Sequence, residues 1–114
     1  MAFRITITED ADRHFRSLPA REQRILETAV AARLEHQPTA ESRAIKRLRP
    51  NPLATYELRA GGLRALYNVE GDEVVIVLVG RKVGNKLIVE GEEFHGHQDD
   101  PVEPAGNGPG DDAK

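Results

Sequence analysis

The chain predicts an α+β domain in which two N-terminal helices, joined as a hairpin, pack on a twisted four-stranded antiparallel sheet in the order β-α-α-β-β-β. Three observations carry that prediction. Residues 3–8 alternate apolar and polar side chains with period two, residues 9–34 hold two apolar stripes at helical spacing, and residues 55–79 hold three strand-like runs parted by glycine turns. At 114 residues there is room for one domain, expected over residues 1–96 and followed by a disordered acidic tail over 97–114.

Taken in order, Phe3-Arg4-Ile5-Thr6-Ile7-Thr8 is rich in β-branched residues and alternates, as a half-buried strand does. Thr8 is placed to cap a helix whose first turn, with Glu9, Asp10 and Asp12, suits the positive end of the helix dipole. Ala11, Phe15 and Leu18 form its apolar stripe. Pro19 is tolerated in the first turn of a second helix, where Ile25, Leu26, Ala29, Val30, Arg33 and Leu34 supply the buried stripe until Pro38 forbids continuation. Residues 37–53 contain three prolines together with Arg43, Lys46, Arg47 and Arg49, and read as an irregular basic connector with one helical turn around Ile45 and Leu48.

The turns Ala60-Gly61-Gly62 and Glu70-Gly71-Asp72 then divide Thr55–Arg59, Leu63–Val69 and Glu73–Val79 into a three-stranded meander. Val74 to Val79 is continuously apolar, which marks a central strand, and the first strand is expected at the sheet edge. Lys86-Leu87-Ile88-Val89 forms either a short last strand or an extended arm, and Phe94 is the last expected core anchor. Beyond Gly96 the chain is Gly-, Pro- and acid-rich and cannot bury enough apolar surface to offset the entropy of ordering.

Charge is distributed unevenly. The net of −3 conceals a middle segment, residues 43–86, with nine basic and four acidic side chains, followed by residues 87–114 with one basic and eight acidic. A basic middle beside an acidic tail points to a polyanion-binding surface and a segment that masks it. The absence of cysteine excludes disulfides and thiolate metal sites. With no apolar run of membrane-spanning length and no signal-peptide pattern, the expected location is the cytoplasm.

The string Tyr56-Glu57-Leu58-Arg59-Ala60-Gly61-Gly62-Leu63-Arg64-Ala65-Leu66-Tyr67 resembles the signature of the RelE/ParE toxin superfamily. In that signature a Tyr-x-Leu-Arg strand, a glycine turn and an Arg-x-x-Tyr strand precede an apolar strand ending in glycine and basic residues, here Val79-Gly80-Arg81-Lys82. Ser17-Leu18-Pro19 and Ile45-Lys46-Arg47-Leu48 also stand where the family has them, so the resemblance covers residues 3–82. It implies a RelE/ParE-like fold and the toxin of a type II toxin-antitoxin pair, with a cognate antitoxin as partner and no small-molecule cofactor. The activity implied is either ribosome-dependent endoribonuclease cleavage of mRNA or poisoning of DNA gyrase. A basic nucleic-acid-binding module without toxicity is the remaining alternative.

Metal-free RNA cleavage needs a base for the 2′-hydroxyl, cations at the phosphate and an acid at the leaving oxygen. By the resemblance Arg64 contacts the scissile phosphate, and Arg81 or Lys82 fills the basic position ending the last core strand. Pairing of neighbouring strands is expected to bring these groups to one phosphate. Glu57 stands where ribonuclease members carry lysine, and is either a carboxylate base held by Arg59 or an exposed ion pair. Lys46, Arg47, Arg49, Arg59 and Lys86 are the expected RNA-binding cations. The terminal tyrosine or histidine of ribonuclease members has no clear equivalent, and His95 and His97 lack a third ligand, so no metal site is expected. Tyr67 reads as a core residue with a wet hydroxyl, and Phe3 and Phe15 as core.

Overall fold

A computed structural model describes residues 2–94. The elements run β1 (Arg4–Ile7), α1 (Glu9–Arg16), α2 (Ala20–Arg33), β2 (Ile45–Arg47), β3 (Tyr56–Ala60), β4 (Leu63–Glu70), β5 (Glu73–Val83), β6 (Lys86–Val89) and β7 (Glu92–Glu93). The architecture is the expected α+β arrangement of two helices on a largely antiparallel sheet, with more strands than the four expected. The expected tail, residues 97–114, lies outside the described residues, as do His95 and His97.

Six strands follow the order β2-β3-β4-β5-β6-β7, each antiparallel to its neighbour. β1 departs from the all-antiparallel expectation by pairing parallel to β5, Arg4 beside Glu73 through Ile7 beside Ile76. The long connection from β1 through the helical hairpin and β2–β4 is what makes a parallel return possible. β5 is eleven residues long and holds β1 along its first half and β6 along its second, on the same flank. Lys86–Val89 is therefore a strand, not an arm.

Helix α1 starts where its cap predicts: the Ala11 backbone N–H donates to Thr8 Oγ1 at 3.2 Å. Its stripe buries Ala11 fully and packs Phe15 and Leu18 against the core. α2 ends at Arg33, with Leu34 as its cap and wholly buried, so the helix stops ahead of Pro38. Ile25, expected in the stripe, is exposed, while Leu26 is buried. The connector also departs from expectation. Ile45–Arg47 is a strand, not a helical turn, because Ile45 pairs with Leu58 and becomes core.

The sheet separates two apolar clusters. On the helix side lie Leu26, Leu34, Ile45, Leu58, Ala65, Tyr67, Val74, Ile76 and Val79; on the other lie Leu48, Ala54, Leu66, Leu78, Leu87 and Val89, with Phe94 packed against them. Tyr67 is core as expected, but its hydroxyl is not wet: it donates to the Pro38 carbonyl at 2.5 Å, and burial raises its pKa. Its ring stacks on Tyr56 at 5.5 Å.

A register shift sets which side each residue faces. Leu66 pairs with Leu78 and Tyr67 with Ile76, leaving Val77 as an extra residue on β5. Val77 and Leu78 consequently both pack on the side away from the helices, and Val79 returns to the helix side.

Candidate nucleic-acid interface

Residues paired across an antiparallel ladder share a face. Glu57 pairs with Leu66 and with Lys46, Arg59 with Arg64, and Lys82 with Leu87. Leu66 and Leu87 belong to the cluster away from the helices, so Lys46, Glu57, Arg59, Arg64 and Lys82 share the open face. Arg81 pairs with Leu63, a member of the helix-side core, and stands on the opposite face. There its guanidinium donates to both carboxylate oxygens of Glu22 on α2, at 2.9 and 2.6 Å. Arg64 and Arg81 thus do not meet at one phosphate; the register leaves Lys82 on the face of Arg64.

Glu57 does not form an exposed ion pair. It is 2% exposed, its Oε1 accepts from Arg59 Nε at 3.0 Å, and its Oε2 lies 3.9 Å from Arg64 Nε. Arg64 is itself largely covered. Its Nη1 donates to the carbonyls of Gly61 and Leu63, both at 2.9 Å, while its buried Nε has no hydrogen-bond partner. Burial pushes the Arg64 pKa down, the Glu57 carboxylate opposes that, and Arg59 adds to it. A carboxylate so enclosed has no route to a substrate hydroxyl.

The outer ends of these arginines open into a groove that the sequence did not announce. It is lined by Arg33 from the last residue of α2, by Ser42, Arg43 and Ala44 ahead of β2, and by Arg59, Gly61 and Arg64 around the β3–β4 turn. Four guanidinium-bearing side chains and no carboxylate line it. Gly61, at φ 61°, supplies the left-handed residue of that turn. Arg33 and Arg43 come from separate segments: α2, which packs against β3, carries Arg33, and the Arg59 backbone N–H, donating to the Ala44 carbonyl at 2.7 Å, draws the Arg43 segment beside β3.

The remaining predicted cations are dispersed. Arg47 lies over the Tyr56 ring at 5.8 Å and donates to its hydroxyl at 3.4 Å, and Arg49 follows β2 on the connector. Lys86, at the start of β6, faces Glu93 at 3.8 Å. Among the described residues no group of His, Cys, Asp and Glu is placed to hold a metal ion, and no helix is long and apolar enough to cross a membrane. An apolar cleft of about 300 Å³ between β1 and the helices, lined by Ile5, Phe15, Leu26 and Val30 among others, carries only Asp12, Glu27 and Glu35 as charged groups.

No protein-family model matches the chain, and no curated protein matches its sequence. Solved structures do. A chain of the toxin-antitoxin complex RelBE2 from Mycobacterium tuberculosis is 27% identical, superposes with a TM-score of 0.59, and is matched over its whole length by 72% of this chain. A chain of the archaeal RelE-RelB complex from Pyrococcus horikoshii shares the fold at 21% identity and a TM-score of 0.58, with 71% of this chain covering 96% of that one.

Proposed function

We propose, from the premise that this is a RelE-like chain of the RelE/ParE superfamily, that it is the toxin of a type II toxin-antitoxin pair, held in check by a cognate antitoxin and acting in the cytoplasm on ribosome-bound mRNA. The observation that carries the reading is the groove of Arg33, Arg43, Arg59 and Arg64 with no acidic side chain in its lining. Clustered guanidinium groups recognise phosphate through paired N–H donors, and their affinity for a polyanion falls steeply with salt. In an endonucleolytic step Arg64 stabilises charge developing on the scissile phosphate, with Lys46 and Lys82 on the same face extending the electrostatic field along the RNA. The proton transfers fall to groups other than Glu57 and Arg81, one enclosed and the other engaged with Glu22.

The test is a cell-free bacterial translation reaction in which new mRNA 5′ ends are mapped with the wild-type chain, Arg64→Ala and Arg81→Ala. Discrete ends that require ribosomes, vanish with Arg64→Ala and persist with Arg81→Ala are expected. Intact mRNA in an arrested reaction would overturn the cleavage reading.

One observation favours a second reading. The enclosure of Glu57 leaves the arginine groove with no carboxylate base in its lining, which suits a toxin that acts by binding, directed at DNA gyrase or weakened in catalysis. Growth arrest would then survive Arg64→Ala and be relieved by a resistant gyrase. Expression without any growth arrest would instead identify a non-toxic nucleic-acid-binding module.

A further inference from the structure

Glu57 lies outside the groove lining, against two of the arginines that form it, in a position with two opposite consequences for an anionic ligand. Its negative charge weakens the local positive potential, yet both of its oxygens are turned to the arginines that line the groove. The contacts are at the Nε edges: Arg59 by a hydrogen bond of 3.0 Å, and Arg64 at 3.9 Å. Arg64 is further held through Nη1 by two backbone carbonyls of the β3–β4 turn. A guanidinium fixed along one edge loses less freedom when its other N–H groups bind a phosphate, because the entropy of ordering the side chain is met within the fold. The side chains of Arg59 and Arg64 are 29% and 13% exposed, so each is largely enclosed while still lining the groove.

From this geometry we infer that Glu57 is a positioning residue: its buried carboxylate sets Arg59 and Arg64 side by side so that together they bind one phosphodiester of single-stranded RNA. The inference rests on the RNA-binding reading above and assigns Glu57 no proton transfer. It also accounts for a carboxylate at a position where the family resemblance leads one to expect lysine. A lysine there would place a third cation beside two enclosed arginines, and repulsion would scatter the pair.

The two consequences of the carboxylate predict opposite signs for one substitution. If Glu57 only dilutes positive charge, Glu57→Gln binds RNA more tightly, with a salt dependence steeper by about 0.7 in log–log slope per added phosphate contact. If it positions the arginines, Glu57→Gln binds severalfold more weakly despite its extra net positive charge, with a shallower slope. The experiment is fluorescence anisotropy of a labelled single-stranded oligoribonucleotide over a salt series, using the full chain as wild type, Glu57→Gln and Glu57→Asp. Circular dichroism confirms folding, and NMR of the arginine Nε–H groups reports anchoring.

The expected result is weaker binding and faster Nε–H exchange for Glu57→Gln, with Glu57→Asp in between. Tighter binding by Glu57→Gln overturns the inference alone, while a wild-type chain that binds no RNA overturns the RNA-binding reading and the inference with it. Should Glu57→Gln fail to fold, Glu57→Asp decides, since it keeps the charge and shortens the reach by one methylene. Weaker binding by that variant supports positioning, and unchanged binding overturns it.

Discussion

On the helix side of the sheet Arg81 is closed into a bidentate pair with Glu22, whereas on the open side Arg59 and Arg64 meet Glu57 and still line a groove. All three arginines belong to one meander and are equally basic by composition. They differ in what stands across from them. Arg81 faces a helix whose carboxylate takes both of its paired donors, so its charge serves to fix α2 against β5. Arg59 and Arg64 share their groove with the end of α2, which brings Arg33 and no carboxylate, and their one carboxylate partner, Glu57, lies outside the groove lining. Basic composition therefore says little about which cations are available to a ligand; the layer packed on each face decides it.

The largest effect expected from that difference is on stability. Leu26→Ala removes a side chain 2% exposed in the helix-side core and should cost about 2–5 kcal/mol by urea denaturation, with RNA affinity per folded molecule unchanged. A parallel loss of RNA affinity would show that the faces are coupled. Next is Gly80→Ala. A Cβ there would lie 2.5 Å from the Ile88 carbonyl oxygen and 3.0 Å from Val89 Cγ2, so β6 must move away from β5, at a cost of about 1–3 kcal/mol in the same assay. Gly80 lies opposite Arg64, and the shift should also disturb the open face.

Smaller is the contrast between the arginines. Arg81→Ala should cost at most about 1 kcal/mol, the range of a partly exposed ion pair, and leave RNA binding intact. Arg64→Ala should weaken RNA binding and lower the salt slope by about 1. Equal losses from the two would contradict the assignment of faces.

The smallest effect is a pH dependence confined to the helix side. His14 Nδ1 accepts from the Val79 backbone N–H at 3.3 Å, and its pKa is lowered, first by burial and then by Arg13, against opposing contributions from Glu90 and Asp10. The folded chain binds this proton less readily than the unfolded chain. Its contribution to stability is therefore complete above the ordinary histidine value of 6.5 and declines as pH falls below it. Urea midpoints compared above and below that value should fall for the wild type, and fall less for His14→Gln, whose amide oxygen can still accept from Val79.

Much of the fold was legible because it is written in local periodicity. Thr8, the stripe of α1, the glycine turns and the apolar run of β5 each specify their element within a few residues. The parallel partner of β1 and the strand at Ile45–Arg47 were not legible. Both depend on a partner far along the chain, and the prolines flanking β2 gave a stronger local signal than its three residues. The site was legible in part: Arg59, Arg64 and Glu57 stand in one recognisable string, while Arg33 reaches the groove from the end of α2 and Arg43 through the bond of its segment to β3.

The division between Arg81 and Lys82 shows where sequence pattern stops. Val74 to Val79 is apolar at every position, so it marks a central strand buried on at least one face and gives no alternation from which to count faces. Sequence alone specified that a strand lies here and that basic residues follow it. Which of them joins Arg64 was set by the extra residue Val77, which inverts the facing of every position after it, and by the placement of Glu22 above Arg81. A bulge is chosen by how two packed layers fill space on either side of a sheet, and that information lies in neither strand separately.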